Sequence, residues 1–125
     1  VVRIRMASLG INHLYQGIQD KLNAYEELKH TLGLADEAIA YVGDDVVDLP
    51  VLRRAGLAVA VADAHPLVQR HAHWQTRSPG GRGAARDLCE LIMEAQGHHG
   101  HYPSAPAATP SRPTCRHRLV AGKDA

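Results

Sequence analysis

Three carboxylates lie close together in the middle of the chain, at Asp44, Asp45 and Asp48. They follow the β-branched and aromatic run 39–42 and Gly43, where a helical pattern begins, so they are predicted at the carboxyl end of a parallel strand. Ligands of open α/β sheets bind outside such strand ends. Neighbouring carboxylates repel one another unless a cation compensates, and oxygen donors suit Mg²⁺ better than zinc. The three acids are therefore predicted to act together at a functional site.

A structural role is the alternative for the same acids. An acidic first turn accepts hydrogen bonds from free backbone N–H groups and complements the positive end of the helix dipole. For Asp45 taken alone, this capping role explains the residue as well as metal binding does. The prediction of a functional site therefore rests on the cluster and not on any single carboxylate.

Lys21 is the cation best placed to compensate these acids. It follows Asp20 at the start of a predicted helix, directly after a predicted strand at 13–16. The carboxyl ends of parallel strands share one edge of a sheet, so the ammonium group is expected to face Asp44, Asp45 or Asp48. There it would relieve their repulsion and could also hold a phosphate oxygen. A solvated surface lysine is the alternative.

A glycine-rich loop, Gly80-Gly81-Arg82-Gly83, leads into the last predicted helix. Backbone N–H groups and the positive end of a helix favour an anion, and Arg82 and Arg86 could add contacts to phosphate or carboxylate. The loop is neither a dinucleotide fingerprint nor a Walker A motif. The glycines could equally serve only to turn the chain.

Several histidines also have two readings. Asp63 and His65 follow a buried strand and could line the same crevice, although a capping Asp and a turn His explain them as well. His98, His99 and His101 could hold a metal, but a solvated cluster is the simpler reading, and the same applies to Cys115 with His117.

Strands that alternate with helices predict the element order that would position these residues. Together they indicate an α/β fold, a three-layer Rossmann-like parallel sheet, incomplete at its amino-terminal side. The run 57–61 is apolar throughout, as expected for a strand buried on both faces. The predicted strands are 13–16, 39–42, 57–61 and 73–76, and the predicted helices are 1–9, 21–32, 46–55 and 84–95, with a short helix after Asp63.

The composition does not indicate a protein that binds nucleic acid or a membrane. A formal net charge of +1 gives no global field that attracts nucleic acid or anionic lipid. Cys89 and Cys115 lie in unlike surroundings and form no disulfide framework. No apolar run approaches the length of a membrane span, and no signal peptide is expected. A cytoplasmic protein is expected, with one domain at 1–97. Residues 98–125 hold four of the seven prolines and few aliphatic residues, which predicts a disordered tail.

Four motifs in their order closely resemble the 3-deoxy-D-manno-octulosonate 8-phosphate phosphatase family of the haloacid dehalogenase-like superfamily. The resemblance covers residues 1 to about 97. Its motifs are Gln16-Gly17 with Asp20-Lys21, Gly43-Asp44-Asp45-Val46-Val47-Asp48-Leu49-Pro50, Ala60-Val61-Ala62-Asp63-Ala64-His65-Pro66 and Gly80-Gly81-Arg82-Gly83-Ala84.

The resemblance implies Mg²⁺-dependent hydrolysis of a phosphorylated sugar acid in lipopolysaccharide precursor synthesis, through an aspartyl-phosphate, by a homotetramer. Lys21 matches the family's phosphate-binding lysine and Asp44 its magnesium ligand. Asp45 and Asp48 match acids that support the metal shell and the lysine. The loop of Gly80, Gly81 and Arg82 is similar to the segment that meets substrate near a neighbouring subunit.

One part of the family pattern is missing. The family's nucleophile and general acid lie in an Asp-x-Asp motif, and no such motif occurs in this sequence. We therefore expect a carboxyl-terminal fragment that is inactive alone. The alternative is a non-catalytic domain of the same fold with an assembly role, as appended to an acylneuraminate cytidylyltransferase. A receiver-like phosphoacceptor domain would need an acceptor Asp on a separate strand, which the sequence does not offer.

Overall fold

A computed structural model of the chain describes residues 1–98. The predicted tail lies outside the described residues except for His98, and so do the metal readings of His99, His101, Cys115 and His117. Within 1–98 no helix combines the length and the apolar character that crossing a bilayer requires.

A parallel sheet of three strands positions the predicted site. Strands β1 (Ala40–Gly43), β2 (Leu57–Ala60) and β3 (Trp74–Gln75) pair in the order β1-β2-β3. Because all pairs are parallel, with Gly43 opposite Ala60, the three carboxyl ends share one edge of the sheet. We call this the carboxyl edge and define it by the segments 44–48, 61–65 and 76–83. The predicted parallel α/β architecture is confirmed.

The middle strand β2 lies at the centre of the core. Ala58, Val59, Ala60 and the following Val61 are all fully buried. The continuous apolar run predicted this, since a strand with neighbours on both sides and helices on both faces has no polar side. The largest fully buried apolar side chains are Leu52, Val51, Val59, Val61 and Val68.

Two twelve-residue helices have the bounds that the sequence predicted. Helix α2 (Lys21–Leu32) begins where the Asp20 carboxylate accepts a hydrogen bond from the Asn23 N–H at 3.2 Å. It ends at Gly33, whose φ of 63° suits a residue without a side chain. Helix α5 is Ala84–Ala95. A cap and a terminal glycine are local signals, which explains why these bounds were predictable.

The segment after β1 differs from the single predicted helix at 46–55. A 3₁₀ turn, Val46–Asp48, precedes a short helix α3, Leu49–Leu52. Val51 and Leu52 are buried, but Val47, which a regular helix over 46–55 would place on the same face as Val51, is 55% exposed. A 3₁₀ turn has three residues per turn instead of 3.6, so it rotates Val47 away from the core.

The amino-terminal part also departs from the prediction. The predicted strand at 13–16 is reduced to a single bridge residue, Leu14, because within 1–98 it finds no strand to pair with along its length. The predicted first helix is present as α1, Val2–Ser8, but none of its residues is buried. Its apolar side chains are therefore on the surface, with Ile4 77% exposed.

Two histidines form hydrogen bonds with backbone groups, one at a helix start and one between two strands. Helix α4 (Pro66–His71) is capped by His65, whose Nδ1 accepts from the Leu67 N–H at 3.2 Å, and not by Asp63 as predicted. The backbone N–H of His73 donates to the Ala58 carbonyl, and its Nδ1 accepts from the Ala58 N–H, both at 2.8 Å. The bonds of His73 hold the start of β3, an outer strand of the sheet, against β2.

A charged cluster ties α2 to the amino end of β1. The buried Tyr25 hydroxyl donates to Asp36 Oδ1 at 2.6 Å, and Lys29 Nζ lies 3.1 Å from the same oxygen. Arg54 contacts Asp36 Oδ2 at 3.5 Å and also pairs with Glu26. The two cations lie 5.8 and 5.7 Å from the centre of the tyrosine ring. We call these five residues the Tyr25–Asp36 cluster.

The cluster shifts the pKa of both its central groups. Burial and the bond to Asp36 raise the pKa of Tyr25 far above its ordinary value of 10.0. The bonds from Tyr25 and Lys29 lower the pKa of Asp36 below 3.8. The Tyr25 contribution to stability is therefore complete below pH 10 and is lost as the pH rises further. The Asp36 contribution is present above about pH 4 and is lost as the pH falls.

We predict that Tyr25→Phe lowers the free energy of unfolding by about 1 kcal/mol near pH 7, because one hydrogen bond is removed. Urea unfolding of the parent chain should show stability falling below about pH 4 and above about pH 10. The variant should lose part of the alkaline fall, since no phenol remains at this position to ionise. An equal loss of the free energy of unfolding above about pH 10 in both proteins would contradict this assignment.

Candidate functional site

Gly43 ends β1 and allows the chain to turn closely around Asp48. A Cβ atom placed on Gly43 would lie 2.7 Å from the Asp48 Cβ, which is too short for any real contact. Without it, the 3₁₀ turn folds back beneath the strand end and carries Asp48 into the protein, where it is 1% exposed. The acid is therefore a buried group at the carboxyl edge.

Four hydrogen-bond donors surround the Asp48 carboxylate. Oδ1 accepts from Lys21 Nζ and from the Tyr41 hydroxyl, each at 2.7 Å. Oδ2 accepts from the backbone N–H groups of Asp44 at 3.0 Å and Asp45 at 3.1 Å. Burial alone raises the pKa of Asp48, but the bonds from these four donors outweigh it and hold the pKa below its ordinary range. The carboxylate is therefore charged and held on all sides.

Lys21 reaches Asp48 although 27 positions separate them in the sequence. It is the first residue of α2, so the Asp20 cap that begins the helix also sets the position of the lysine. Its side chain is 20% exposed, which leaves the ammonium close to solvent at the carboxyl edge. The expected contact between this cation and one of the three acids is present, and the acid is Asp48.

The three acids take different positions at the carboxyl edge. Among residues 1–98 no group of three acidic, His or Cys side chains could hold a metal ion. Asp48 is turned inward to its four donors. Asp45 is exposed, and its carboxylate caps the 3₁₀ turn by accepting from the Val46 N–H at 2.7 Å. The capping alternative therefore describes the geometry of Asp45, and a metal role for it stays a prediction.

Asp44 is the acid whose position best fits a metal ligand. It is the first residue after β1, it is half-buried, and its backbone is held on both sides. Its N–H donates to Asp48 Oδ2, and its carbonyl accepts from the His65 N–H at 2.8 Å. Mg²⁺ is commonly bound through one or two carboxylates together with water and phosphate oxygens. Asp44 therefore fits a Mg²⁺ site in which the described residues supply one carboxylate ligand.

The glycine-rich loop reaches the carboxyl edge through Asp63. The Gly80 N–H donates to Asp63 Oδ1 at 2.9 Å, so this acid anchors the loop instead of capping α4. Gly81 and Gly83 have φ values of 73° and 110°, which a residue with a side chain rarely adopts. Arg82 is exposed on the loop.

The neighbouring Arg86 lies on the exposed face of α5. Its Nε donates to Glu90 Oε1 at 2.8 Å, one turn along the exposed face of α5. An i, i+4 pair of this kind is typical of a solvated helix surface. The contribution of Arg86 to an anion site stays a prediction, as does that of Gly80, Gly81 and Arg82.

Tyr41 and Asp87 are contacts that the sequence did not single out. Tyr41 is a residue of β1, and its hydroxyl donates to Asp48 Oδ1. Asp87, in the first turn of α5, accepts from the Ser78 N–H at 2.8 Å and so holds the loop from its other side. A useful signal was the alternation along β1: Tyr41 and Gly43 share one face of the strand, and Gly43 marks where the acid packs.

Comparison with known proteins gives one consistent result. Residues 4–88 match the family described as haloacid dehalogenase-like hydrolase. The chain is 58% identical over 92 residues to the 3-deoxy-D-manno-octulosonate 8-phosphate phosphatase of Yersinia pestis, which covers 74% of this chain and 49% of the relative. It spans about half the length of the curated relatives it matches.

Solved structures agree with this likeness. A crystal structure of the Yersinia pestis phosphatase matches with a TM-score of 0.75 at 55% identity, over 78% of this chain and 52% of that one. The phosphatase of Moraxella catarrhalis, in complex with a magnesium ion, a phosphate ion and a KDO molecule, matches with a TM-score of 0.73 at 40% identity. That match covers 76% of this chain and 55% of the other.

We predict that Asp48→Ala lowers the free energy of unfolding by about 2–4 kcal/mol, because it removes the buried carboxylate that accepts from Lys21, Tyr41 and two backbone N–H groups. Asp45→Asn is the matched control at the exposed end of the same turn. Asparagine caps a helix as well as aspartate does, so a change within about 0.5 kcal/mol is expected. Urea unfolding followed by circular dichroism checks both. Equal losses in the two variants would show that Asp48 does not hold this edge together.

Proposed function

The chain belongs to the haloacid dehalogenase-like hydrolase family, and we propose that it forms part of a magnesium-dependent phosphatase. The proposed reaction hydrolyses 3-deoxy-D-manno-octulosonate 8-phosphate to the free sugar acid and phosphate. The observation that carries this proposal is the ammonium of Lys21, held 2.7 Å from the buried Asp48 at the same strand end as Asp44. A fixed cation beside a half-buried carboxylate suits a phosphomonoester.

The similar proteins support the choice of substrate. The Yersinia pestis relative carries the name of this phosphatase, and the Moraxella catarrhalis structure holds magnesium, phosphate and KDO. By extension we propose a role in lipopolysaccharide precursor synthesis, a cytoplasmic location and a homotetramer. These finer statements rest on the family resemblance.

Each residue has a proposed role in the chemistry. Lys21 binds a phosphate oxygen and neutralises charge that builds up on the transferring phosphoryl group. Asp48 holds that lysine in place through the contact at 2.7 Å. Asp44 is proposed to hold Mg²⁺, with Asp45 supporting the metal shell. When bound, the metal supplies charge neutralisation at the phosphate.

The loop of Gly80, Gly81 and Arg82 is proposed to contact substrate at the rim of the site. Its support comes from the Asp63 carboxylate, which fixes the Gly80 N–H at the carboxyl edge. Arg82 is exposed there, and a guanidinium suits bidentate binding of the substrate's carboxylate or phosphate.

The nucleophile is not among the residues of this chain. An aspartyl-phosphate mechanism needs an attacking carboxylate, which the family carries in an Asp-x-Asp motif, and this sequence has none. Lys21 and Asp44 can bind and stabilise a phosphoryl group, but they cannot form the covalent intermediate. The chemistry therefore requires a segment that contains the motif.

We predict that the purified 125-residue chain releases no phosphate from 3-deoxy-D-manno-octulosonate 8-phosphate, with or without Mg²⁺. A chimera tests the proposal: the 92 matched residues of this chain replace their counterparts in the Yersinia pestis relative. This chimera should hydrolyse the substrate and require Mg²⁺. A folded chimera without activity would favour the alternative of a non-catalytic assembly domain, and Mg²⁺-dependent release by the 125-residue chain would overturn the assignment of the nucleophile.

We predict that Asp44→Asn in the chimera lowers kcat by about 100-fold or more and raises the Mg²⁺ concentration needed for half-maximal rate. Glu90→Gln, on the exposed face of α5, is the control and should leave both unchanged. Asp45→Asn separates the capping role of Asp45 from its proposed role in the metal shell. Asparagine preserves the cap but is a poorer metal ligand. Magnesium titrations of the rate provide the measurement. Unchanged magnesium dependence in Asp44→Asn would contradict the proposed ligand.

A further inference from the structure

We propose that Tyr41 is a positioning residue for Lys21, acting through the carboxylate that the two side chains share. This inference rests on the proposed phosphatase function. The Tyr41 hydroxyl and Lys21 Nζ each lie 2.7 Å from the same atom, Asp48 Oδ1. The tyrosine is fixed in β1, whereas the lysine is at the start of α2. The shared oxygen therefore links the strand that leads to Asp44 with the helix that carries the cation.

The number of donors explains why the hydroxyl matters. A carboxylate oxygen has two lone pairs, and Oδ1 of Asp48 uses them for Tyr41 and Lys21. Oδ2 is similarly occupied by the N–H groups of Asp44 and Asp45. With both oxygens filled, the carboxylate cannot rotate and the ammonium is held in one direction. Without the hydroxyl, one lone pair of Oδ1 opens, and the ammonium can move around the oxygen or share it with water.

Tyrosine also has the right charge for this position. Its hydroxyl donates a hydrogen bond without adding a positive charge, so Asp48 retains its attraction for Lys21. A second cation in the place of Tyr41 would compete with the lysine for the same oxygen. A ring held in the strand has only two side-chain torsions, so little freedom is lost when it holds the acid. The arrangement therefore orients the phosphate-binding group without neutralising its partner.

The test compares two tyrosine-to-phenylalanine variants of the chimera. Tyr41→Phe removes the bond at Asp48. Tyr25→Phe removes an equally short bond, 2.6 Å to Asp36, in the cluster at the other end of β1. Both variants delete one phenolic hydroxyl bonded to one aspartate, so they match in chemistry and differ only in place. A loss of stability alone is expected from both, but an effect on Lys21 is expected only from Tyr41→Phe.

For Tyr41→Phe, the KM for the sugar-acid phosphate and the inhibition constant of inorganic phosphate should rise about 5- to 10-fold, the effect of one hydrogen bond. The lysine contacts phosphate in substrate and transition state alike, so kcat should change less than KM. In Tyr25→Phe both constants should stay within about twofold of the parent, because its lost bond is outside the site.

A spectroscopic readout is independent of turnover. The ¹⁵Nζ resonance of Lys21, recorded in the full chain and in the chimera, should show slow hydrogen exchange in the parent and in Tyr25→Phe. It should show faster exchange in Tyr41→Phe, because the ammonium is no longer held in one direction. Circular dichroism and urea unfolding establish that each variant is folded.

The outcomes separate this inference from the proposed function. Unchanged exchange at Lys21 and unchanged phosphate inhibition in Tyr41→Phe would overturn the inference, and so would equal changes in Tyr25→Phe. A folded parent chimera that does not hydrolyse the sugar-acid phosphate would overturn the proposed function instead. In that case the exchange of the Lys21 ammonium still decides whether Tyr41 positions it.

Discussion

A single buried negative charge, the carboxylate of Asp48, organises the carboxyl edge of this sheet. An ionised acid that is 1% exposed is stable only where hydrogen-bond donors replace the water it has lost. Those donors come from the start of α2, from β1 and from the turn that follows β1. The charge therefore draws three separate elements to one point. The same bonds set the positions of the cation and of the acid proposed to act on phosphate.

Local signals explain what could be predicted from the sequence. Asp20 and Gly33 mark the ends of α2, and the uninterrupted apolar run of β2 indicated a strand with no polar face. The carboxyl edge was predicted by the same logic, since parallel strands all end on one side. Lys21 and the acids after β1 could therefore be assigned to the same edge without coordinates.

Other contacts could not be predicted, because more than one nearby residue or turn type fits the same local sequence. Asp63 and His65 are both able to cap α4, and only the fold shows that the acid instead meets the N–H of Gly80. The inward turn of Asp48 follows from a 3₁₀ turn, which has almost the same sequence pattern as an α-helix but a different rotation per residue. The bond from the Tyr41 hydroxyl to Asp48, seven positions away, leaves no periodic trace in the sequence.

The close packing of Gly43 against Asp48 restricts how this segment can vary. Any side chain at position 43 would overlap the Cβ of the acid, and a smaller residue at position 48 would give up the carboxylate that receives the four donors. Gly43 and Asp48 therefore constrain each other. A larger residue at 43 has no space, and a smaller residue at 48 makes space only by removing the carboxylate. Substitutions at Gly43 or Asp48 should therefore be rare among functional variants, whereas the exposed Val46 and Val47 should tolerate many residue types.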